Sequence, residues 1–517
     1  MTWGGVLWLT LGLAAYFAWQ SFIVHRMAGT GSDHHFYVYY VDLLRRGGRR
    51  LLYDFPNFLN RTPTVDPQYF HWVLSWAGGP GMLALLSRIL NPLFSALSLA
   101  VFAVFLASES AGSPVPWGAN ILLLAFTPQF QHSTNVRNYG LNTRGLGLLL
   151  FLLFSIACYQ AGQAASWAWF AAAAGLAWLI IGCNIFAFQS LLLFAAVFLA
   201  LFRSPVMAGA GLAGLLLFTA LHPRYAGHYF RQLLGFWSLY ADTLAERFIL
   251  LRRPSLWGDW VREIPSKWRE KRSRAAWYAY ENSVAILVVF QPLALCAGAA
   301  WAMLPGGATA LDLFSGRMAA ASLILFLATS FRRTRFLGSP ERYVEMAMPF
   351  ATALGADFLY RVGGFALVAV CAAGQVALSN LQPYMNVFRK KKAAATDELQ
   401  EFLRGVRARV EQDAGGRPVR FTSNNGEWGK YLLNADWRFV FFWPTVREIG
   451  GIPIAELMED YPFIKTDAVE RLVRRYGVNY CLIDRHAGGT LGGGLEAAVL
   501  QESPRHVLYR VAPREAA

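Results

Sequence analysis

The chain has 517 residues, of which 55% are hydrophobic and only 15% are charged. Soluble domains carry about 25% charged residues, so the composition excludes an ordinary soluble protein and indicates a polytopic membrane protein with a soluble part. The net charge of +15 favours membrane lipids with anionic headgroups, or phosphorylated ligands, as partners. The sequence contains no RNA- or DNA-binding motif.

Eleven apolar segments are predicted as membrane spans, since a spanning helix needs about 20 mostly apolar residues. The first is interpreted as a retained span because no basic leader or cleavage pattern accompanies it. In chain order the predicted spans are residues 2–24, 92–107, 117–130, 146–159, 167–181, 186–201, 207–221, 284–303, 311–330, 344–360 and 365–379.

The five cysteines are scattered, and four of them lie in apolar runs. They show neither disulfide nor metal-ligand spacing, so packing roles are expected. They are Cys158, Cys183, Cys296, Cys371 and Cys481.

The first polar loop, residues 25–80, concentrates acidic, histidine, tyrosine and arginine side chains. Tyr37, Tyr40 and Leu44 recur at helical spacing, which predicts a short helix over residues 36–46 that lies at the membrane interface. Its aromatic residues either anchor the membrane surface or line a site.

Further polar segments follow. The sequence QHSTNVRNYGLNTRG precedes the fourth span, residues 222–283 form a second large loop, and FRRTRFLGSPERY precedes the tenth span. Trp and Arg alternate in the large loop, as is typical of interfacial helices with basic faces.

The composition changes at residue 393, and residues 393–517 are predicted to form a small α/β domain. ATDELQEFLRGVRARVEQ and AVERLVRRYG predict helices, whereas RPVRFTSN, VNYCLID and HVLYRVA predict strands. The glycine-rich run at residues 488–494 lacks the strand and helix of a dinucleotide site, so a loop is expected there.

Four features together resemble the GT-C superfamily of membrane glycosyltransferases. They are Asp33 after the first span, a tyrosine-rich helix ending in Leu-Leu-x-x-Gly-Gly, the tripeptide Leu-Leu-Tyr, and Tyr-Phe-His-Trp at residues 69–72. The resemblance implies a polytopic α-helical GT-C-like domain over residues 1–385, with about 11 transmembrane helices and large outer loops at 25–80 and 222–283. It also implies inverting transfer of a sugar from a polyprenyl-phosphate donor to a glycan, lipid or protein acceptor. The soluble C-terminal domain then binds the acceptor or supports a lid.

With the N-terminus inside, eleven spans place the polar loops and the C-terminal domain outside the cytoplasm, as the resemblance implies for a cell (inner) membrane enzyme. The positive-inside rule favours the inverted topology, since the outer loops are the arginine-rich ones. Arginines that bind a lipid phosphate give a physical reason for this disagreement.

By resemblance, Asp33 is the general base that accepts the acceptor proton. The alternative is a helix cap, for which Ser32 and Asp33 are both suitable residues. Asp66 is a second acid candidate, or simply part of an Asp-Pro turn.

Substrate contacts are expected from His34, His35, Tyr37, Asp66 and His71 in the same loop. The spacing of these acids and histidines matches no metal-ligand motif, so neither a metal nor a cofactor is expected. His71 is a candidate for either a substrate contact or packing.

The donor phosphate requires cations. Arg342 is the first candidate, because it resembles the Arg-Tyr pair at the start of a late span in GT-C enzymes. The further candidates are Arg335, Arg333, Arg144 and Arg137, and the alternative for each is an interfacial anchor.

Two other functions remain open. A membrane transporter would place ionisable residues along a path through the spans, and Arg317 is the deepest such residue here. A non-catalytic membrane assembly protein for envelope glycans would instead work through its C-terminal domain.

Overall fold

The computed structural model describes residues 3–27, 32–109, 115–127, 140–244, 247–248, 265–266, 269, 283–285, 287–288, 291–303, 308–387, 390–440, 447–449, 451–460, 462–485, 491 and 494–513. The chain divides into two compact units. The membrane unit comprises residues 1–28, 84–223 and 254–388, and the sheet unit comprises residues 29–83, 224–253 and 389–517.

Helices dominate the chain. In order they are α1 (Trp3–Met27), α2 (Ser32–Arg46), α3 (Tyr69–Leu74), α4 (Pro80–Glu109), α5 (Trp117–Ala125), α6 (Arg144–Ala164), α7 (Trp167–Cys183), α8 (Ile185–Phe202), α9 (Val206–Leu221), α10 (Pro223–Leu239), α11 (Pro292–Ala302), α12 (Ala310–Thr329), α13 (Glu341–Val387), α14 (Lys390–Ala414), α15 (Gly426–Leu432), α16 (Ile454–Leu457) and α17 (Thr466–Tyr476). Short helical segments also occur at Tyr240–Leu244, Ser283–Ala285 and Arg332–Leu337.

Five helices among the described residues are long and apolar enough to cross a membrane, and a sixth span results if α9 and the segment after it count as one. The five are Pro80–Glu109, Arg144–Ala164, Ile185–Phe202, Ala310–Thr329 and Glu341–Ala377. Shorter apolar helices occur at Leu9–Val24, Trp167–Cys183 and Pro292–Ala302. The chain is thus a multi-pass membrane protein, whereas the number of eleven spans stays a prediction.

The predicted tenth and eleventh spans both fall within α13. Gly363 and Gly364 interrupt that helix with non-helical backbone angles, φ −137° and ψ 15°, then φ 64° and ψ −166°. Gly364 has the positive φ that glycine adopts without a Cβ penalty. The break therefore lies between the two predicted segments, at a pair of glycines that allows it.

Small residues bring α7 and α9 close together. A Cβ on Gly214 of α9 would lie 2.7 Å from the Ala174 carbonyl oxygen and 2.5 Å from the Ala177 Cβ in α7. Such close helix approach through small residues is typical of membrane bundles, where dispersion contacts replace the hydrophobic driving force.

Two polar contacts align helix ends in the membrane unit. Asn184 caps α8 by accepting a hydrogen bond from the Ala187 N–H at 2.7 Å, and its amide donates to the Thr143 carbonyl at the start of α6 at 3.0 Å. At the other end of α6, the Tyr159 hydroxyl donates to Glu109 of α4 at 2.9 Å. The first turns of α6 and α8 therefore lie together, as do the last turns of α4 and α6.

The sheet unit contains a five-stranded mixed sheet of order β2-β1-β7-β9-β8. Strands β2, β1 and β7 are parallel, with Phe421 opposite both Phe439 and Tyr480, whereas β9 is antiparallel to β7 and β8. Two small hairpins, β3-β4 and β5-β6, complete the unit. The strands are β1 (Arg420–Ser423), β2 (Arg438–Val440), β3 (Glu448–Ile449), β4 (Ile452–Pro453), β5 (Met458–Asp460), β6 (Phe463–Ile464), β7 (Tyr480–Asp484), β8 (Leu495–Glu502) and β9 (His506–Pro513).

The first polar loop and the C-terminal sheet share one hydrophobic core. Buried residues of α2 and of the following loop pack with residues of α14, β1, β2, β7 and β9. Backbone hydrogen bonds extend this contact, since Leu59 N donates to Phe439 O at 2.7 Å and Phe439 N donates to Asn57 O at 2.8 Å. The loop is therefore held by the sheet.

This packing corrects one expectation about the first loop. The predicted helix 36–46 lies within α2, but Tyr40 and Leu44 are fully buried in the shared protein core. They are not membrane-surface anchors. A helix with one apolar face has the same sequence pattern whether lipid or protein covers that face.

Candidate active site

A cluster of charged side chains lies in the sheet unit, where α2 packs against α15. Helix α15 begins after Asn425, whose side-chain oxygen accepts hydrogen bonds from the N–H groups of Glu427 at 3.0 Å and Trp428 at 3.4 Å. One turn after Glu427, Lys430 projects into the protein, with 5% of its side chain exposed.

The Lys430 ammonium joins two carboxylates. It donates to Asp33 Oδ1 at 2.7 Å and to the two oxygens of Glu427 at 3.0 and 3.1 Å. Burial disfavours the charged ammonium, but the charges of Asp33 and Glu427 outweigh that effect, so the pKa of Lys430 lies above its usual value. The lysine is therefore a fixed cation at neutral pH.

Asp33 lies in the first turn of α2, one residue after the helix begins. The alternative role of Asp33 as a helix cap stays a prediction, because the residue that precedes the helix lies outside the described part of the chain. Its side chain is 58% exposed, and its second oxygen, Oδ2, accepts no hydrogen bond from the described part of the chain. One oxygen is therefore anchored, while more than half of the side chain is exposed.

Asp66 is a second carboxyl group in electrostatic contact with this cluster. Burial, and then the negative charge of Asp33, raise its pKa from 3.8 to about 6, while the Lys430 charge acts in the opposite direction. The two aspartates therefore differ in character: Asp33 is paired with a cation, and Asp66 is half-buried and retains its proton more strongly.

Aromatic rings form the side of the cluster next to α3. The Tyr37 ring stacks on the His71 ring at 4.7 Å, and the Tyr40 ring lies 5.0 Å from it. His71 is 1% exposed, and burial lowers its pKa to about 4. The ring packs against Tyr37, and its two predicted roles, a substrate contact or packing, both stay predictions.

His34 and His35 follow Asp33 within α2 and are both half-buried. Burial, and then the charge of His35, lower the pKa of His34 to about 4. The His35 ring contacts the Tyr431 ring of α15 at 4.5 Å. The rings of His34 and His35 lie 5.2 Å apart.

The predicted site residues of the first loop thus come together around Lys430. Among the described residues, no group of three His, Cys, Asp or Glu side chains is arranged to hold a metal ion.

The predicted phosphate-binding arginines belong to the membrane unit. Arg144 begins α6 and Arg342 lies in the first turn of α13; both are half-buried. The Arg342 guanidinium carbon lies 5.3 Å from the centre of the Phe186 ring in α8. Since Asn184 joins the starts of α6 and α8, the two arginines lie at the same end of the unit.

The other three candidate arginines are described only in part or not at all. Arg333 and Arg335 lie in the helical turn Arg332–Leu337, but their side chains are outside the described part of the structure. Arg137 lies outside the described residues altogether.

Sequence reasoning missed Lys430 and Glu427. The segment NNGEWGKYLL carries a signal, because an asparagine cap precedes a short, mostly apolar helix in which Lys430 lies one turn after Glu427. A lysine is almost never fully buried unless it is paired. A partner carboxylate was therefore required, but the sequence does not show which one.

Two solved structures of ArnT from Cupriavidus metallidurans are similar to this chain. The structure bound to undecaprenyl phosphate shares 12% sequence identity over 98% of both chains, with a TM-score of 0.48. The apo structure shares 13% identity over 98% of both chains, with a TM-score of 0.45. No family model matches the sequence, and no curated protein matches it.

Proposed function

We propose that this protein is an inverting glycosyltransferase that transfers a sugar from a polyprenyl-phosphate donor to an acceptor hydroxyl or amine. The observation that carries the proposal is the Asp33 carboxylate, with one oxygen held 2.7 Å from the buried Lys430 ammonium and 58% of its side chain exposed. A base on a fixed support is what general base catalysis of group transfer requires.

In the proposed reaction, Asp33 Oδ2 accepts the proton of the acceptor group. The acceptor atom attacks the anomeric carbon from the face opposite the phosphate and forms a new glycosidic bond. The carbon–oxygen bond to the phosphate breaks, and the electron pair leaves with the polyprenyl phosphate. Inversion follows from the single displacement.

Lys430 acts as a positioning residue for Asp33. Its ammonium fixes the carboxylate through a charge-assisted hydrogen bond, which is shorter and stronger than a neutral one. Glu427 holds the lysine in turn, at 3.0 Å. In this proposal the C-terminal part of the chain supports the catalytic loop.

The departing phosphate needs positive charge. Arg342 and Arg144 are our first candidates, since both are half-buried at one end of the membrane unit, where a cation interacts more strongly with a phosphate than in water. Arg333, Arg335 and Arg137 remain secondary candidates from the sequence.

A panel of donors tests the reaction class. The purified full-length protein in lipid nanodiscs is incubated with radiolabelled polyprenyl-phosphate pentose, hexose and aminosugar, and separately with the corresponding nucleotide sugars. We expect slow release of sugar from one polyprenyl-phosphate donor, dependent on Asp33. Use of nucleotide sugars, or neither binding nor turnover of any lipid-linked donor, would reject the proposal.

Topology is tested on intact cells. We propose that residues 393–517 lie outside the cytoplasm, so a cysteine replacing the exposed Gln412 should react with a membrane-impermeant maleimide before lysis. All native cysteines are replaced by alanine in the background protein. Labelling that occurs only after lysis would invert the topology, as the positive-inside rule favours.

A further inference from the structure

A second polar feature lies within the membrane unit, where α6 and α8 end and α9 and α12 begin. A cavity of about 540 Å³ opens there, lined by residues of all four helices. Its volume falls in the range of roughly 300–1,000 Å³ that is typical of small-molecule sites. Phe198 and Phe314 form apolar parts of its wall, and Tyr159 and Gln163 contribute polar groups.

Two arginines line this cavity. Arg203 follows the last residue of α8 and is exposed, while Arg317 is half-buried in α12. Arg317 lies seven residues after the start of α12 at Ala310, which corresponds to about 10 Å along the helix axis. Within the described part of the structure, neither guanidinium makes a hydrogen bond or an ion pair.

The acids nearest in the fold are engaged elsewhere. Asp312 caps its own helix, with its carboxylate accepting from the Thr309 N–H at 3.0 Å. Glu109 accepts from the Tyr159 hydroxyl and the Gln160 amide, each at 2.9 Å. Among the described residues that line the cavity, two are cations and none carries a carboxylate.

An arginine within a membrane helix is costly unless it is paired, and such residues generally mark ligand sites. Basic pockets between membrane helices are suited to the headgroups of anionic lipids. We propose that this cavity binds the phosphate of an anionic phospholipid through Arg203 and Arg317, with the start of an acyl chain against Phe198 and Phe314. The site is separate from the residues assigned to sugar transfer.

Native mass spectrometry of the full-length protein tests this proposal. The protein is titrated in detergent with dioleoylphosphatidylglycerol or with dioleoylphosphatidylcholine, and the fraction carrying one lipid gives each affinity. The wild type should prefer phosphatidylglycerol, and R317Q should lose about fivefold in affinity for it, since one basic residue near a membrane surface contributes roughly 1 kcal/mol. Phosphatidylcholine binding should change little.

The matched control is R88Q, which removes an exposed arginine of α4 that does not line the cavity; it should retain the wild-type preference. R203Q provides a second test at a position that is exposed and outside the helices. Equal affinities of wild type, R317Q and R203Q for phosphatidylglycerol would overturn the proposal. So would displacement of the lipid by millimolar inorganic phosphate, because the site would then take a soluble phosphate compound.

Discussion

The sheet unit and the membrane unit compensate their charges in different ways. In the sheet unit, the buried Lys430 ammonium is surrounded by the carboxylates of Asp33 and Glu427, so the protein supplies its own counter-ions. In the membrane unit, Arg203 and Arg317 line a cavity whose described lining residues include no carboxylate. In the sheet unit, the lysine is paired with carboxylates of the protein itself. In the membrane unit, the positive charge of the two arginines is available to a ligand.

This difference indicates what each cluster is suited to do. A carboxylate that is held by a protein cation is oriented before the substrate arrives, which favours a role in the chemical step. A cation without a protein carboxylate gains most from an anionic ligand, which favours a role in binding. Variants in the two units should therefore affect different quantities: turnover in the first case and ligand affinity in the second.

The largest effect is expected for D33N. Asparagine preserves the size of the side chain and an oxygen for Lys430 but does not accept a proton at neutral pH, so turnover should fall by at least about 100-fold, with donor affinity unchanged. Initial rates and donor binding on the same preparation measure both quantities. D42N is the matched control, since Asp42 lies in the same helix in an exposed pair with Arg46. Near-normal turnover of D33N would assign the base elsewhere.

Replacing Arg342 should weaken donor binding and also slow the departure of the phosphate, since its charge is proposed to stabilise both states. A hydrogen bond to a charged group contributes about 1.5–3 kcal/mol, so R342A should weaken donor binding by about 10- to 100-fold. R88A, at an exposed position of α4, is the control and should bind the donor normally. Equilibrium binding of a radiolabelled donor provides the measurement. Equal small losses in both variants would make Arg342 an interfacial anchor.

The lysine of the sheet unit should affect both stability and turnover. K430M preserves the aliphatic stem but leaves two carboxylates without their cation, so the free energy of unfolding should fall by about 1–2 kcal/mol, moderated by the partial exposure of Asp33 and Glu427. Thermal unfolding and turnover are measured together. R407M removes an exposed helical pair with Glu411 and should be nearly neutral.

A double mutant separates positioning from general stability. If Lys430 acts through Asp33, its loss should reduce turnover much less in the D33N background than in the wild type, because the two residues then form one functional unit. Additive losses in turnover would show that Lys430 does not act through Asp33.

The predictable parts of the fold were those in which local sequence determines the outcome. Helix α17 has buried residues at Ala468, Val469 and Leu472, and ends at Gly477 with φ +61°, as the pattern AVERLVRRYG predicts. Strand β7 is buried along its whole length, as expected from VNYCLID. The spacing of apolar residues and the position of a helix-ending glycine are local signals, so they predict structure without knowledge of the tertiary fold.

The partner of Asp33 was not predictable in the same way. Lys430 is 397 residues away in sequence, and nothing in the pattern around Asp33 indicates a lysine from another part of the chain. The burial of Tyr40 was missed for a related reason, because an apolar helical face does not reveal whether lipid or a distant sheet covers it. The part of the site that the sequence did not predict consists of contacts between residues that are far apart in the chain.

The smallest effect is expected for D66N, and it depends on pH. The pKa of Asp66 is raised from 3.8 to about 6 in the folded state, so folding favours the protonated acid, and ionisation of Asp66 destabilises the protein. That cost is fully present above about pH 6 and is lost as pH falls towards 3.8.

Asparagine imitates the protonated form, so D66N should be more stable than the wild type at pH 7.5, by about 1 kcal/mol because solvent reaches the half-buried group. The gain should shrink towards zero as pH falls below 6. Thermal unfolding of both proteins between pH 4.5 and 8 measures the difference, and D42N serves as the control because Asp42 lies in the same unit and pairs with the exposed Arg46. A gain that is the same at every pH would show that Asp66 carries no such ionisation cost.

Turnover completes the test of D66N. The variant should retain most of its turnover if Asp33 is the base, whereas loss of turnover in D66N together with normal turnover in D33N would assign the role of the base to Asp66.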